Sequence, residues 1–276
     1  MKFPDMTQIA DNPTTKSLHR ISRLMGRVRR ELAPPHPHWW HVSLQVVAKG
    51  LSTGTIPGGD NREGVSFQID LDLDQQRLEL RDENSVRVSW PLAGFRMDQA
   101  RDGLISEIAT RGHSLAIDQE EFVSNHVQPY DPTLGMAILQ SLQIVDRVFN
   151  VFRDDLSGER GPVHLWPHHF DLAFVRFTGR IAPGIDPSDV ESAKEQVNHG
   201  FVFGDEIIPE PYFYVIPYPI PENLHEIEMD EVTLQEEGFT GYVLPWSSLV
   251  ASSDSESVMN QYLFEATQVL KEVMEG

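Results

Sequence analysis

The sequence predicts an α+β fold in which helices pack on an antiparallel β-sheet, and three observations support this class. Residues 65–80 alternate apolar and polar side chains, as strands with one buried face do. Several longer segments carry apolar residues every three or four positions, the spacing of amphipathic helices. The same order of elements recurs in both parts of the chain. We therefore predict a loose lead-in at 1–13 and two similar α+β halves, 14–130 and 131–276, packed as one globular unit.

The first half begins with a helix that is rich in arginine. Its apolar face consists of Leu18, Ile21, Leu24, Val28 and Leu32, and Pro34 follows its end. Its other faces carry Arg20, Arg23, Arg27 and Arg30. A solvated face is the simplest interpretation of these arginines, and docking on the acidic half of the chain and anion binding are the alternatives.

Strands dominate the rest of the first half. The predicted elements are, in order, a strand at 41–49, a glycine-rich loop at 50–64, a hairpin at 65–80, a strand at 86–90 and a helix at 97–111. Gly112 follows that helix in a position typical of a C-terminal cap.

The second half opens with a long helix, for which Asp131 is the predicted N-cap and Pro132 the first residue. The elements that follow are strands at 170–177, 201–203, 212–216 and 241–244, a short helix after Asp186, a solvated acidic loop at 222–238 and a last helix at 255–274. Prolines surround the strand at 212–216. They predict that it lies at a sheet edge or that the prolines are confined to its ends.

The two halves also share a short sequence similarity. Residues 41–47 align without gaps to residues 169–175, with His, Leu and Val at the first, fourth and seventh positions. An ancient duplication would explain the match and would bring equivalent strands to a shared interface. Chance similarity between amphipathic strands explains it as well.

The charge of the chain restricts its partners. The net charge is −20, and residues 131–276 contribute most of it, with 25 acidic and 7 basic side chains. Nucleic-acid binders need clustered Lys and Arg, so we expect no nucleic-acid partner. No apolar run is long enough for a membrane helix, and residues 1–11 do not resemble a signal peptide. We therefore expect no membrane partner and a cytoplasmic location.

Six of the eleven histidines lie in two short stretches that also contain tryptophan, 36–41 and 164–169, which we call the first and second His/Trp stretches. Since the chain has no cysteine, a metal would need His, Asp or Glu ligands. One interpretation is a divalent metal site, for which the candidate ligands are His38, His41, His169 and Asp171. The alternative is that the rings cap strand ends and bond to backbone carbonyls, since neither stretch has a diagnostic metal spacing.

Aromatic side chains around these histidines could line a small-molecule pocket or could be packed core. The candidate ligand-binding residues are His38, Trp39, Trp40, His41, His164, Trp166, His169, Asp171 and Tyr212. The sequence has no phosphate-binding loop, dinucleotide fingerprint or nucleophile elbow, so no catalytic residue is assigned.

Three segments resemble the signature segments of an uncharacterised bacterial family of domains of unknown function. They are His-Trp-Trp-His at 38–41, Leu-Trp-Pro-His-His-Phe-Asp-Leu at 165–172 and Pro-Glu-Pro-Tyr-Phe-Tyr at 209–214. The resemblance extends from about Leu18 to the last helix, and it implies no activity, cofactor or partner. The resemblance implies that similar proteins keep the first segment and the Phe-Asp-Leu part of the second, whereas some of them have other residues at the positions of His168 and His169. This favours His38, His41 and Asp171 as site residues.

Two hypotheses for the function follow. The favoured one is a small-molecule-binding protein or an enzyme whose site lies where the two His/Trp stretches meet. The alternative is a non-catalytic interaction module that binds a protein partner of unknown identity through the acidic half at 131–276.

Overall fold

A computed structural model describes Pro4, Met6, Phe122 and residues 9–58, 65–83, 85–118, 126–226 and 232–275. Over these residues it contains five α-helices and two antiparallel sheets, which confirms the predicted α+β class. The chain forms two compact units. We call residues 12–143 and 164–170 the N-terminal unit, and the described residues of 1–11, 144–163 and 171–276 the C-terminal unit. Both His/Trp stretches belong to the N-terminal unit.

The N-terminal unit begins with helix α1, Pro13–Leu32, whose predicted apolar face is buried from Leu18 to Val28 and partly exposed at Leu32. The side chain of Asn12 caps it by accepting a 2.9 Å hydrogen bond from the backbone N–H of Thr14. The other helices that start in this unit are α2, Met97–Ala109, and α3, Pro132–Asp155. The predicted cap of α3 is confirmed, because the carboxylate of Asp131 accepts a 2.8 Å bond from the backbone N–H of Thr133.

Five strands form an antiparallel sheet in this unit. They are β1, Gln45–Val47; β2, Gly50–Ser52; β3, Phe67–Asp72; β4, Arg77–Asp82; and β5, Ser85–Pro91, in that spatial order. The predicted hairpin is β3–β4, with Leu71 opposite Leu78. Its polar face is more enclosed than the alternation predicts. Glu79 on that face is 1% exposed and pairs with Arg77 at 2.8 Å and with Arg81 at 3.3 Å.

The predicted strand at 41–49 is wrong over its first part. Residues Trp40–Val42 form a single 3₁₀ turn, and the strand begins only at Gln45. The turn forms because Trp39 adopts a left-handed backbone, with φ of 59°, and because the hydroxyl of Ser43 donates to the carbonyl of Trp40 at 2.7 Å. The predicted loop at 50–64 starts with strand β2 instead, and its residues 59–64 lie outside the described part of the chain.

The remaining strands and helices follow α3. They are β6, His164–Trp166, in the N-terminal unit, and β7, Asp171–Ile181; β8, Lys194–Val202; β9, Tyr212–Tyr218; β10, Thr233–Gln235; β11, Gly241–Pro245; α4, Trp246–Ala251; and α5, Ser255–Glu275, in the C-terminal unit. The strands of the C-terminal unit lie in the order β10-β11-β9-β8-β7. The predicted last helix is confirmed as α5.

Strand β9 lies between β11 and β8, so it is not an edge strand. Its prolines are tolerated because they lie at its ends: β11 pairs only with Tyr212 to Val215, and Pro217 lies beyond that pairing.

The short helix predicted after Asp186 is wrong. The carboxylate of Asp186 accepts a 2.9 Å hydrogen bond from the backbone N–H of Ser188, and this bond closes a turn that no helix follows.

The predicted loop at 222–238 contains a 3₁₀ turn, Leu224–Glu226, and strand β10, and its residues 227–231 lie outside the described part of the chain. In the predicted lead-in at 1–13, Met6 and Ile9 are buried. The carbonyl of Pro4 accepts a 2.9 Å bond from the indole N–H of Trp246. The duplication of the two halves stays a prediction.

The core of the C-terminal unit contains a histidine, His199, which is fully buried. Its ring stacks on Phe174 with 4.6 Å between the centroids, and its Nε2 lies 2.8 Å from the hydroxyl oxygen of Thr267. That hydroxyl donates to the carbonyl of Leu263, so the histidine must donate through Nε2–H. Burial, followed by the charge of Arg176, lowers the pKa of His199 to about 3. The ring is therefore neutral in the folded protein at neutral pH.

We predict that mild acid destabilises the protein through His199. In the unfolded chain this ring titrates near 6.5, so as the pH falls from about 6.5 towards 3 the unfolded state binds a proton that the folded state does not. The free energy of unfolding should fall by up to about 1.4 kcal/mol per pH unit from this group. Urea unfolding between pH 7 and pH 4 measures the slope. The His199→Gln variant should lose this component, and an identical slope in both proteins would contradict the assignment.

Candidate functional site

The two His/Trp stretches lie side by side in the N-terminal unit. Leu44, just after the first stretch, and Leu165 in the second exchange two backbone hydrogen bonds of 2.8 and 2.9 Å. The rings of Trp40 and His164 are 6.4 Å apart between centroids. Two segments that are far apart in the sequence therefore form one surface.

Arg29 of α1 holds the first stretch in place. Its guanidinium donates to the backbone carbonyl of His41 at 2.8 Å, to that of Trp40 at 3.5 Å and to that of Thr53. The planar guanidinium carries several donors and therefore reaches all three carbonyls at once. Burial lowers the pKa of Arg29. We assign Arg29 a structural role.

Helix α1 also contacts the second stretch, and it does so at Gly26. A Cβ atom at this position would lie 2.6 Å from Cγ of Pro167 and 3.2 Å from the carbonyl oxygen of Val42. The absence of a side chain is therefore what allows the helix to approach both stretches at one point.

The helix and the two stretches line a cavity of about 580 Å³ that is open to solvent. Its wall contains residues of three segments. They are Arg23, Gly26, Arg27 and Arg30 from α1; His38 and Trp39 from the first stretch, with Val42 at the end of the 3₁₀ turn; and Trp166, Pro167 and His168 from the second stretch. Small-molecule sites in proteins typically have about 300–1,000 Å³ and combine aromatic walls with a few polar groups. This cavity fits that description in size and in lining.

Trp39 is the most unusual residue of the wall. Its left-handed backbone is rare for a bulky side chain and costs on the order of 1–3 kcal/mol. Its side chain is nevertheless 41% exposed, and the guanidinium carbon of Arg30 lies 5.5 Å from its ring centroid. An exposed aromatic residue on a strained backbone is typical of functional sites.

Hydrogen bonds and stacking order the rings of the first stretch. The Nδ1 atom of His36 accepts from the backbone N–H of His38 at 3.2 Å, and Nδ1 of His41 accepts from the backbone N–H of His36 at 3.0 Å. His36 stacks on Trp40 at 4.3 Å, and Trp39 stacks on His41 at 5.5 Å. The local chain therefore fixes the orientation of these rings.

Two histidines near the arginines have lowered basicity. Desolvation, followed by the charges of Arg29 and His36, lowers the pKa of His41. Desolvation lowers the pKa of His168 to about 4, and the charges of nearby histidines and Arg23 add to this effect. At neutral pH the arginines therefore provide the positive charge of the cavity, and His168 takes part as a neutral ring.

The predicted ligand-binding residues divide into three groups. His38, Trp39 and Trp166 line the cavity. Trp40, His41, His164 and His169 are not among the lining residues, but their rings lie 4.3 to 6.4 Å, between centroids, from rings of other members of the two stretches. Asp171 and Tyr212 belong to the C-terminal unit, where they have other partners.

The partners of Asp171 and Tyr212 are within their own sheet. The hydroxyl of Tyr214 donates to the carboxylate of Asp171, and that of Tyr212 donates to Asp205 at 2.5 Å. The ring of Tyr214 covers Gly200, at which a Cβ would lie 2.0 Å from Cζ of the tyrosine. These bonds give both residues a structural role in the C-terminal unit.

The candidate metal ligands do not form a metal site in the described residues. No group of three His, Asp or Glu side chains there is arranged to hold one ion. Nδ1 of His41 already accepts a backbone bond, and Asp171 is engaged by Tyr214. The divalent-metal interpretation therefore has no ligand set in this part of the chain.

Residues 3–270 match a family that is described as "Family of unknown function (DUF5996)". The chain belongs to this family. The resemblance to an uncharacterised family of domains of unknown function is thereby confirmed. Neither the curated proteins nor the solved structures contain a significant match. Among the described residues of this DUF5996 protein, no helix combines the length and the apolar character needed to cross a membrane.

Sequence reasoning missed the contribution of α1 to the cavity of the DUF5996 protein. Arg23, Arg27 and Arg30 follow the spacing i, i+4, i+7, which places them on one side of a helix. A solvated face was the simplest interpretation of this stripe, whereas the structure places it in the cavity wall. Gly26 between them was a further signal, because a glycine inside a helix often marks a close contact.

We predict that Gly26→Ala destabilises the protein although alanine favours helices. Helix propensity alone would stabilise α1 by about 1 kcal/mol. The added Cβ would instead clash with the rigid ring of Pro167, and overpacking of this kind typically costs about 1–3 kcal/mol. Urea unfolding measures the difference, with Lys16→Ala at an exposed position of α1 as the control. A more stable Gly26→Ala protein would contradict the contact.

Proposed function

We propose that this DUF5996 protein binds a small molecule in the cavity between α1 and the two His/Trp stretches. The observation that carries the proposal is that residues from all three segments line one cavity of about 580 Å³. Trp39, Trp166 and Pro167 supply apolar wall, and the arginines and histidines supply the few polar groups that orient a ligand.

The rigidity of the site supports the proposal. Arg29 ties the turn of the first stretch to α1, and Gly26 keeps α1 in contact with Pro167. A wall that is fixed before the ligand arrives lowers the entropy that binding loses. The cavity is therefore suited to bind a ligand without rearrangement.

The strained backbone of Trp39 supports it as well. A glycine or asparagine at this position would adopt φ of 59° at little cost, so a tryptophan here reduces stability. Its indole contributes ring area to the cavity wall. A ligand that stacks on the indole would explain why stability is sacrificed at this residue.

We predict that Trp39→Gly loses ligand binding without losing stability. A fragment library, screened against the full chain by saturation-transfer NMR, identifies ligands. Trp39→Gly and Trp166→Ala should weaken those ligands by at least about tenfold, the typical effect of removing an aromatic stacking partner. Trp39→Gly should unfold at the same or a higher urea concentration than the original protein, because glycine relieves the strain.

Trp90→Ala is the matched control, since Trp90 lies in β5 and is not part of the cavity wall. It should leave fragment binding unchanged. Fragments that bind equally well to the original protein and to both cavity variants would argue against this site.

A further inference from the structure

We propose that the ligand of this cavity is an anion, a small molecule in which a planar ring system carries a carboxylate or phosphate group. This inference rests on the proposed function and names the chemical class of the ligand. The juxtaposition that carries it is a row of three arginines and two tryptophans in the wall of one cavity.

The arginine row has the chemistry of an anion site. Arg23, Arg27 and Arg30 come from three successive turns of one helix, and all three line the cavity. A guanidinium matches the geometry of carboxylate and phosphate oxygens and can bind them through two parallel hydrogen bonds. Three such groups on a fixed helix form a preorganised set of donors.

The charge of the wall is opposite to that of the protein. The chain has a net charge of −20, yet no Asp or Glu is among the described residues that line the cavity. Arg27 also pairs with Glu31, 3.5 Å away across one helical turn, with both side chains partly exposed, and an exposed pair of this kind is weak enough to be exchanged for a ligand.

Like charges are concentrated within the arginine row. Arg23 and Arg27 are four residues apart on α1, and like charges at this spacing destabilise a helix. The field also reaches His168, since the charge of Arg23 adds to desolvation in lowering its pKa. Bound negative charge would be attracted by the same field.

The tryptophans favour a planar ligand. Arg30 already lies over the ring of Trp39, which combines a cation and an aromatic face in one recognition element. Trp166 of the second stretch lines the same cavity, and the volume of about 580 Å³ accommodates a ring system together with its charged group. Inorganic phosphate alone would leave most of this space unfilled.

Matched probes test the inference on the full chain. Isothermal titration compares naphthalene-2-carboxylate, 2-naphthyl phosphate, the neutral naphthalene-2-carboxamide and inorganic phosphate. At least one naphthyl anion should bind ten or more times tighter than the carboxamide and than inorganic phosphate. The stronger of the two anions identifies the preferred charged group.

Variants of α1 assign the preference to the arginine row. The triple variant Arg23→Gln, Arg27→Gln, Arg30→Gln keeps helix-favouring residues and should abolish the preference for the anion over the carboxamide. Each single replacement should weaken anion binding about three- to tenfold, so the test does not depend on the triple variant alone. Arg20→Gln is the matched control, because Arg20 lies on α1 outside the cavity wall and should leave the preference intact.

The failures of the two proposals are distinguishable. Equal affinity for the carboxylate and the carboxamide, with both lost in Trp39→Gly, would overturn the anion inference and leave small-molecule binding in place. An anion preference that survives in the triple variant would also overturn it. Failure of all three naphthyl probes to bind would count against both proposals. Equal affinity for inorganic phosphate and 2-naphthyl phosphate would refute the inference that the ligand has a planar ring system.

Discussion

The close contact of α1 with Pro167 and with the carbonyl of Val42 at Gly26 is the constraint on which the candidate site depends. Because the helix has no side chain at this point, it lies against both His/Trp stretches at once. The arginines one turn before and one turn after the glycine are then carried into the cavity wall. Arg29 on the neighbouring side completes the arrangement by bonding to the carbonyls of the 3₁₀ turn. Helix α1 thus positions Arg29, the close contact at Gly26 and the three arginines of the cavity wall.

The charge of the cavity wall is opposite in sign to the net charge of the chain. The chain is strongly acidic, whereas the cavity wall contains three arginines and a histidine, His168, whose pKa is lowered. The strained backbone of Trp39 adds a conformational cost to the same wall. Backbone strain reduces stability, and proteins commonly retain it at functional sites. The coincidence of positive charge and backbone strain at one cavity is the physical basis for both proposals.

Much of the fold was predictable from local patterns. The apolar period of α1, the alternation in β3–β4 and the cap at Asp131 each depend on residues within a few positions, and all three predictions are confirmed. The errors have a common origin. The strand expected from His41 is interrupted because Trp39 takes a left-handed backbone, which no periodicity reveals. Asp186 has the side chain of a helix cap, but it closes a turn that no helix follows.

The sequence by itself determined which residue types the candidate site would use. It identified two clusters of histidine and tryptophan and a stripe of arginines on a helix. The tertiary structure decided which of them meet. His169 and Asp171 are two residues apart, yet they fall in different units, and Asp171 bonds to Tyr214. Leu44 and Leu165 are far apart in sequence and share two hydrogen bonds. Local patterns specify which face of a helix or strand is buried. Which segment covers that face depends on contacts between residues far apart in the sequence, and these contacts become visible only in the tertiary structure.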